Sequence, residues 1–226
     1  MNIHIFYSHY NVTHTDNKNR PSWFDYEKCF INLLDTIKDR GNIKLNILMD
    51  GKIDNNWISK YKSLYNYYEF TGGNIETITK EVYKFIKNYE CDNDDLIYIL
   101  ENDYLHLKFW DEKLIGLYST FQNLNYISLY DHNDKYFLPQ YDDLASKIFT
   151  TNSHHWRTVP STCGSFIVPK KIFDEDYEIQ TTIIGDHNKH IYLNEHKSRF
   201  ILTPIPGLST HCAKGLLSPI IDWSKI

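Results

Sequence analysis

The chain has 226 residues, 42% of them hydrophobic and 15% aromatic, which is enough to bury a sizeable core in a single domain. A net charge of -5 and a pI near 6.1, with no dense Lys/Arg block, argue against nucleic acid or an anionic membrane surface as partner. No apolar run approaches the roughly 20 residues of a membrane span. Met1-Asn2-Ile3-His4-Ile5 lacks the basic start and apolar stretch of a signal peptide, so a soluble, cytoplasmic chain is the expectation.

Cys29, Cys91, Cys163 and Cys212 are far apart and form no CxxC pair, so they read as reduced thiols. Asn11-Val12-Thr13 matches a glycosylation acceptor by chance, since no secretion signal accompanies it. The first element is a strand, Asn2 to Tyr7, with Ser8-His9-Tyr10 following at its carboxyl end. A polar loop then runs to Arg20-Pro21. Ser22 and Asp25 are spaced to cap a helix whose apolar positions are Phe30, Ile31, Leu34 and Ile37, ending at Gly41.

The pattern repeats. Ile43 to Met49 is a strand that stops at Asp50-Gly51, Asp54 caps a helix bearing Trp57, Ile58, Tyr61, Leu64 and Tyr65, and Tyr67 to Phe70 is a third strand. Thr71-Gly72-Gly73-Asn74 turns into a helix carrying Ile75, Ile78, Val82, Phe85, Ile86 and Tyr89. The fourth strand is the most telling, because the continuous apolar run Leu96-Ile97-Tyr98-Ile99-Leu100 suits a strand covered on both faces. It runs into Glu101-Asn102-Asp103, oxygen ligands placed where open α/β sheets bind their ligands. Such a cluster suits Mg²⁺ or Mn²⁺ with a phosphate as the ion's other partner, and an acidic strand end entering a turn is the competing account.

Beyond it the sequence predicts a helix from Trp110 to Phe121 and strands at Tyr126–Leu129, Lys147–Thr150, Cys163–Val168 and Arg199–Leu202. A short helix spans Lys170–Tyr177, Gly185-Asp186-His187 turns into another, and Asn152 to Arg157 reads as a polar loop with aromatics embedded. Strands alternating with amphipathic helices imply an α/β fold with a mixed, mostly parallel central sheet flanked by helices.

The order of these features resembles the GT-A fold glycosyltransferases. That order is a Rossmann-like first half, acids after the fourth strand, a Gly-Asp-His turn, and a late Ser209-Thr210-His211 followed by Leu217-Ser218-Pro219 and Asp222-Trp223. The nearest likeness is to the small glycosyltransferase domains of large DNA viruses. The resemblance covers nearly the whole chain and implies one domain, with residues 1–104 as its nucleotide-binding half and 105–226 as its acceptor-binding half.

Carried onto this sequence, the resemblance puts the family's DxD metal motif on Glu101-Asn102-Asp103, which departs from it in the Glu and the Asn. It implies Asp103 and His211 as ligands of Mn²⁺ or Mg²⁺, with Glu101 acting through water or ribose. It puts nucleotide contacts at Tyr7, Ser8, His9, Tyr10, Asp50, Gly73 and Asn74. A tyrosine stacked on a pyrimidine and a carboxylate accepting its ring N–H would suit uridine, hence a UDP-sugar donor and a glycan or glycoprotein acceptor. Asp186 is the implied general base of an inverting transfer, and Arg157 the brace for the diphosphate, with Trp156 stacking on a sugar as the loop closes.

The competing roles are ordinary ones. Asp186 fits a helix cap, Asp50-Gly51 a turn, and Trp156 an anchor under a surface loop. A nucleotidyltransferase acting on a sugar phosphate would use the same sheet. Against it, Ser8 to Arg20 contains no glycine with which to cradle a triphosphate. A sugar- or nucleotide-binding module without catalysis is the third reading.

Overall fold

Successive side chains of the first strand enter two different layers: Ile3, Ile5 and Tyr7 pack with Phe30, Leu33 and Trp110, while Phe6 packs with Val82, Ile86 and Phe173. A strand buried on both faces needs apolar residues at consecutive positions, which is why the sequence shows runs rather than strict alternation. The structure, a computed structural model, describes residues 1–10 and 18–226. The acceptor pattern Asn11-Val12-Thr13 lies outside the described residues.

The elements in chain order are β1 (Ile3–Tyr10), α1 (Tyr26–Ile37), β2 (Ile43–Asp50), β3 (Asn66–Phe70), α2 (Ile75–Lys87), β4 (Leu96–Glu101), β5 (Tyr104–His106) and α3 (Trp110–Thr120). They continue with β6 (Tyr126–Ile127), β7 (Ile148–Thr150), β8 (His155–Val159), β9 (Phe166–Pro169), α4 (Lys170–Thr182), α5 (Asp186–Lys197), β10 (Ile201–Ile205) and β11 (Ser209–His211). A nine-stranded sheet in the order β3-β2-β1-β4-β9-β6-β10-β8-β7 runs through both halves of the chain. β3, β2, β1 and β4 are parallel, and β9 enters antiparallel between β4 and β6. This is the mixed α/β sheet flanked by helices that the pattern implied.

Several local expectations are corrected. β1 continues to Tyr10, so Ser8, His9 and Tyr10 belong to the strand, paired with Leu48, Met49 and Asp50 of β2. The cap of α1 is Asp25, whose carboxylate accepts from Lys28 N, and not Ser22. Residues Trp57–Leu64 form a 3₁₀ helix capped by Asn56, because its side chain takes the Ile58 amide, so Asp54 caps nothing there. The polar stretch ending at Arg157 is largely strand β8, held between β10 and β7. α4 runs on to Thr182, and β10 carries Pro204 within it.

A two-stranded ribbon of β5 and β11 has no counterpart in the sequence reading. Its register pairs Tyr104 with His211, Leu105 with Thr210 and His106 with Ser209. Asp103 therefore leaves β4 and meets the late histidine through three residue pairs of backbone ladder. No helix among the described residues is long and apolar enough to cross a membrane.

Candidate active site

Asp103 stands just past the carboxyl end of β4, one residue before the ribbon, and is nearly fully buried. Its Oδ2 lies 3.0 Å from His211 Nε2, 2.7 Å from Lys18 Nζ and 2.9 Å from Arg20 Nη2. Lys18 Nζ is also 3.2 Å from His211 Nε2. Burial alone would push the Asp103 carboxyl up, but the hydrogen bond and charge of His211 and the charge of Lys18 outweigh it and hold the group well below the usual carboxylate range. Arg20 braces the same corner, donating to the Cys212 carbonyl at 2.8 Å, and the Cys212 amide donates to the Asp103 carbonyl at 2.8 Å.

The other Asp103 oxygen, Oδ1, is buried and has no partner among the described residues. A buried carboxylate oxygen that accepts nothing is costly unless something else satisfies it. The imidazole nitrogen of His211 sits on the other oxygen, Oδ2, and a carboxylate with an imidazole beside it is a donor set that fits a divalent cation such as Mn²⁺. Lys18 extends its ammonium into the same corner, so such an ion would have to compete with it.

Glu101 closes β4 two residues earlier, its amide donating to Ser165 Oγ at 3.0 Å. Burial first, then the charge of Asp103, raises its carboxyl to about 7; Asp186 adds to this while Lys18 and His211 oppose it. Glu101 and Asp186 both come close to Gly164. A Cβ built there would lie 3.5 Å from Glu101 Cδ and 3.7 Å from Asp186 Oδ2. Asp186 itself opens α5, after Gly185.

These two acids border a cavity of about 420 Å³ at the carboxyl ends of β1 and β4, walled by Ser8, the first turns of α2, the end of α4 and the start of α5. That volume lies within the range of small-ligand pockets. Its flanks are apolar, from Ile75, Ile78, Val82, Ile99, Ile183 and Ile184.

Several of the expected nucleotide contacts serve the fold around this cavity. Tyr7 packs on Phe30 at 5.3 Å between centroids and donates to the Asn102 carbonyl at 3.3 Å; with 2% of its surface exposed it has no face to offer a base. Asp50 accepts the Gly72 and Gly73 amides at 2.7 and 2.9 Å, one on each oxygen, and so fixes the turn before α2. Gly73 adopts φ +79°, and Asn74 caps α2 by accepting from Thr77 N at 3.0 Å.

His9 Nδ1 is 2.9 Å from Asn102 Nδ2, and its Nε2 is 3.1 Å from Asn56 Oδ1. The amide must donate to Nδ1, so the ring is neutral with its proton on Nε2, and burial lowers it to about 4. Tyr10 OH meets Tyr26 OH at 3.2 Å, and Ser8 alone of the β1 set lines the cavity.

The structure separates the second cluster. Arg157 pairs with Asp131 at 2.8 Å and lies 4.7 Å over the Tyr136 ring, not against the acids of the cleft. Trp156 is wholly buried in a strand, so it cannot stack on a sugar from a closing loop. Sequence reasoning missed Lys18, Arg20, Gln180 and Lys189. The first two gave no local signal because their partner is more than eighty residues away. Lys189 was readable as the residue three beyond Asp186 on one helix face.

A further group, His4, Cys91 and Asp95, brings three ligand-type atoms within 4.8 Å at the opposite, amino-terminal end of the strands. It is satisfied without an ion. His4 Nε2 meets Asp95 Oδ2 at 3.0 Å and Nδ1 meets Tyr89 OH at 3.2 Å, while Asn2 donates its amide to Asp95 Oδ1 at 2.6 Å.

No protein-family model matches the sequence, and no curated protein matches it. Solved structures do. The chain is similar to CMP:2-keto-3-deoxy-manno-octonic acid synthetase complexed with CTP, at a TM-score of 0.55 and 10% identity over 92% of each chain. It is also similar to residues 1–349 of TarS from S. aureus, at a TM-score of 0.51 and 11% identity, over 90% of this chain and 58% of that one. At such identities the likeness shows the fold alone, a mixed α/β sheet flanked by helices.

Proposed function

We propose that the protein is a glycosyltransferase that moves a sugar from a nucleoside-diphosphate donor, with UDP-sugars the first to test, to a hydroxyl of a glycan or glycoprotein. The observation that carries this reading is the convergence at one end of the sheet of Asp103 with His211, and of Glu101 with Asp186 near Gly164, beside a cavity of ligand size. Asp103 and His211 would hold a divalent cation, which when bound supplies neutralisation of the leaving diphosphate. Lys18 and Arg20 bring further positive charge to the same oxygen.

Asp186 takes the proton of the acceptor hydroxyl. The oxygen so activated forms its bond to the anomeric carbon as the bond from that carbon to the phosphate oxygen breaks, and the electron pair leaves with the nucleoside diphosphate. This gives inversion at the anomeric carbon. Glu101, whose carboxyl burial and the charge of Asp103 push up, lines the cavity and can hydrogen-bond a sugar or ribose hydroxyl. Arg157 is left out of this scheme, because Asp131 and Tyr136 engage it elsewhere.

One observation favours a second reading, nucleotidyl transfer to a sugar phosphate. Two cations from the segment after β1, Lys18 and Arg20, reach Asp103 two residues past the cavity-lining Glu101, and cations after a first strand are what a triphosphate would use. The products separate the two. Incubation with UDP-sugars and Mn²⁺ should release nucleoside diphosphate under the first reading. Incubation with nucleoside triphosphate and a sugar phosphate should release pyrophosphate under the second. Release of neither, with no metal-dependent nucleotide binding, would leave a binding module.

A further inference from the structure

Lys189 is a charged residue with 6% of its surface exposed, on the inner face of α5 and in the wall of the cavity. Its nearest acid is Asp186, with Nζ 3.6 Å from Oδ1, beyond hydrogen-bond length for a charged pair. Its ammonium also lies 5.3 Å from the centre of the Tyr83 ring, a favourable but non-directional contact. Among the described residues nothing accepts a hydrogen bond from it. The ammonium opens on the cavity with its donors uncommitted to any described residue, so an acceptor arriving there can take them.

Gln180, at the end of α4, lines the same cavity with 1% of its surface exposed. Its orientation is fixed by a neighbour. Tyr126 OH donates its only proton to Asp176 Oδ2 at 3.0 Å, so the Gln180 amide must turn its NH₂ to that phenol, which it does at 3.2 Å. This leaves Gln180 Oε1 buried and without a partner. The cavity wall therefore carries a cationic donor that opens on the cavity and a buried neutral acceptor without a partner among the described residues, between apolar flanks. At the rim Ile75 and Ile184 stand 72% and 82% exposed.

Resting on the reading of the cleft as a nucleotide-sugar site, we infer that Lys189 and Gln180 form a subsite for a ligand group bearing an anionic oxygen beside a hydroxyl. Lys189 binds the anionic oxygen and Gln180 accepts from the hydroxyl. The anionic oxygen belongs either to a phosphate of the donor or to the carboxylate of an acidic sugar. Where the oxygen is a sugar carboxylate, an uncharged hexose leaves the Lys189 ammonium without an anionic partner, and the pair then determines which donor sugar the enzyme accepts.

The test is calorimetric titration of wild type, Lys189→Met and Lys189→Arg with UDP, UDP-glucose, UDP-glucuronate, inorganic pyrophosphate and glucuronate, with circular dichroism to confirm that each variant is folded. If the group is a phosphate, Lys189→Met weakens UDP, UDP-glucose and pyrophosphate together by about ten- to a hundredfold, the range for a charged hydrogen bond, and Lys189→Arg restores much of it. If it is a sugar carboxylate, UDP is unchanged, and the preference for UDP-glucuronate over UDP-glucose collapses in Lys189→Met.

Binding of UDP, UDP-glucose, UDP-glucuronate, pyrophosphate and glucuronate that is identical in all three proteins overturns the inference and, where the nucleotides bind, leaves the transferase reading intact. Lys189-dependent binding of pyrophosphate or glucuronate without any nucleotide binding supports the anion subsite and overturns the transferase reading. Binding of none of the five probes overturns both.

Discussion

His211 lies nearly parallel to Tyr104, ring centroids 5.3 Å apart and planes inclined at 26°, and in this position its Nε2 is 3.0 Å from Asp103 Oδ2. The two stacked residues are also direct partners in the β5–β11 ladder. The separation of 108 positions between Asp103 and His211 is thus closed by the backbone pairing of the next residue, and the aromatic face then sets the angle of the imidazole. The ribbon is itself tied down, with Ser218 N donating to Thr210 Oγ1 at 2.8 Å.

Metal affinity should accordingly depend on the stacked ring as well as on the ligands. Asp103→Asn and His211→Ala are expected to abolish Mn²⁺ binding followed by electron paramagnetic resonance. Tyr104→Phe keeps the ring and should bind as wild type, whereas Tyr104→Leu should weaken binding by about tenfold or more, as loss of an orienting neighbour does. Equal affinity in Tyr104→Leu would show that the ladder alone orients His211.

Lys18 makes the opposite prediction. Its ammonium, 2.7 Å from Asp103 and 3.2 Å from His211, shares the corner that an incoming cation needs. The side chain is about half exposed, so the competition is modest, of the order of a surface ion pair. Lys18→Met is expected to tighten Mn²⁺ binding about two- to fivefold, and an unchanged or weakened affinity would place the ion elsewhere.

Asp186 is assigned a proton-transfer role, and such a role separates cleanly from binding. Asp186→Asn keeps size and polarity but removes the base, so kcat should fall by about 10²–10⁴-fold while donor affinity changes less than about twofold. The kinetics are read with whichever donor the product assay identifies. A parallel loss of donor affinity would instead mark Asp186 as a binding group.

The turn that Asp50 holds has no room for a side chain at Gly72. A Cβ there would come within 2.6 Å of Ile78 Cγ1 and 3.2 Å of Asp50 Oδ2. Gly72→Ala must shift Ile78, a wall residue of the cavity, or break the Asp50 hydrogen bonds. An expected loss of about 1–3 kcal/mol in urea unfolding follows from the overpacking, with a matching loss in Asp50→Ala from the two unpaired amides. Nucleotide affinity should drop in both if the cavity is the donor site.

The alternation of strands and helices was legible because each element buries a face, and burial imposes a period on the sequence. The carboxyl end of β4 was legible for the same reason, since five buried residues followed by two acids leave little else to read. The partners of those acids were not. Lys18, Arg20 and His211 reach Asp103 through a loop and a ribbon of three residues per strand, too short to show a period. The burial of Trp156 was one of the two roles the sequence allowed, but its setting was misread as a loop because its neighbours are polar, whereas β8 buries the tryptophan and turns Arg157 to Asp131. Tyr7 and Asp50 suited a nucleotide by type alone, and the tertiary fold commits both to Asn102 and the Gly72–Gly73 turn.

The last expectation concerns acid. His9 links Asn102, the middle residue of the acidic cluster, to Asn56, and it does so as a neutral ring whose pKa burial lowers from 6.5 to about 4. Between those two values the unfolded chain binds a proton that the folded chain does not, so the contribution of His9 to stability is complete above about pH 6.5 and is lost as the pH falls toward 4. His106 and His190, both lowered to about 3 by burial, act in the same direction and extend the loss further into acid. The His9 share between pH 7 and pH 5 is about 2 kcal/mol. Urea unfolding at the two pH values should therefore show a pH-dependent loss smaller by roughly that amount in His9→Gln, even though the variant starts less stable at pH 7. Protonation of the ring would also cost it the hydrogen bond from Asn102, so nucleotide binding should weaken in the same window in wild type and lose that dependence in the variant. An identical pH dependence in the two proteins would mean that His9 is protonated freely in the fold and that its bonds to Asn102 and Asn56 do not orient the acidic turn.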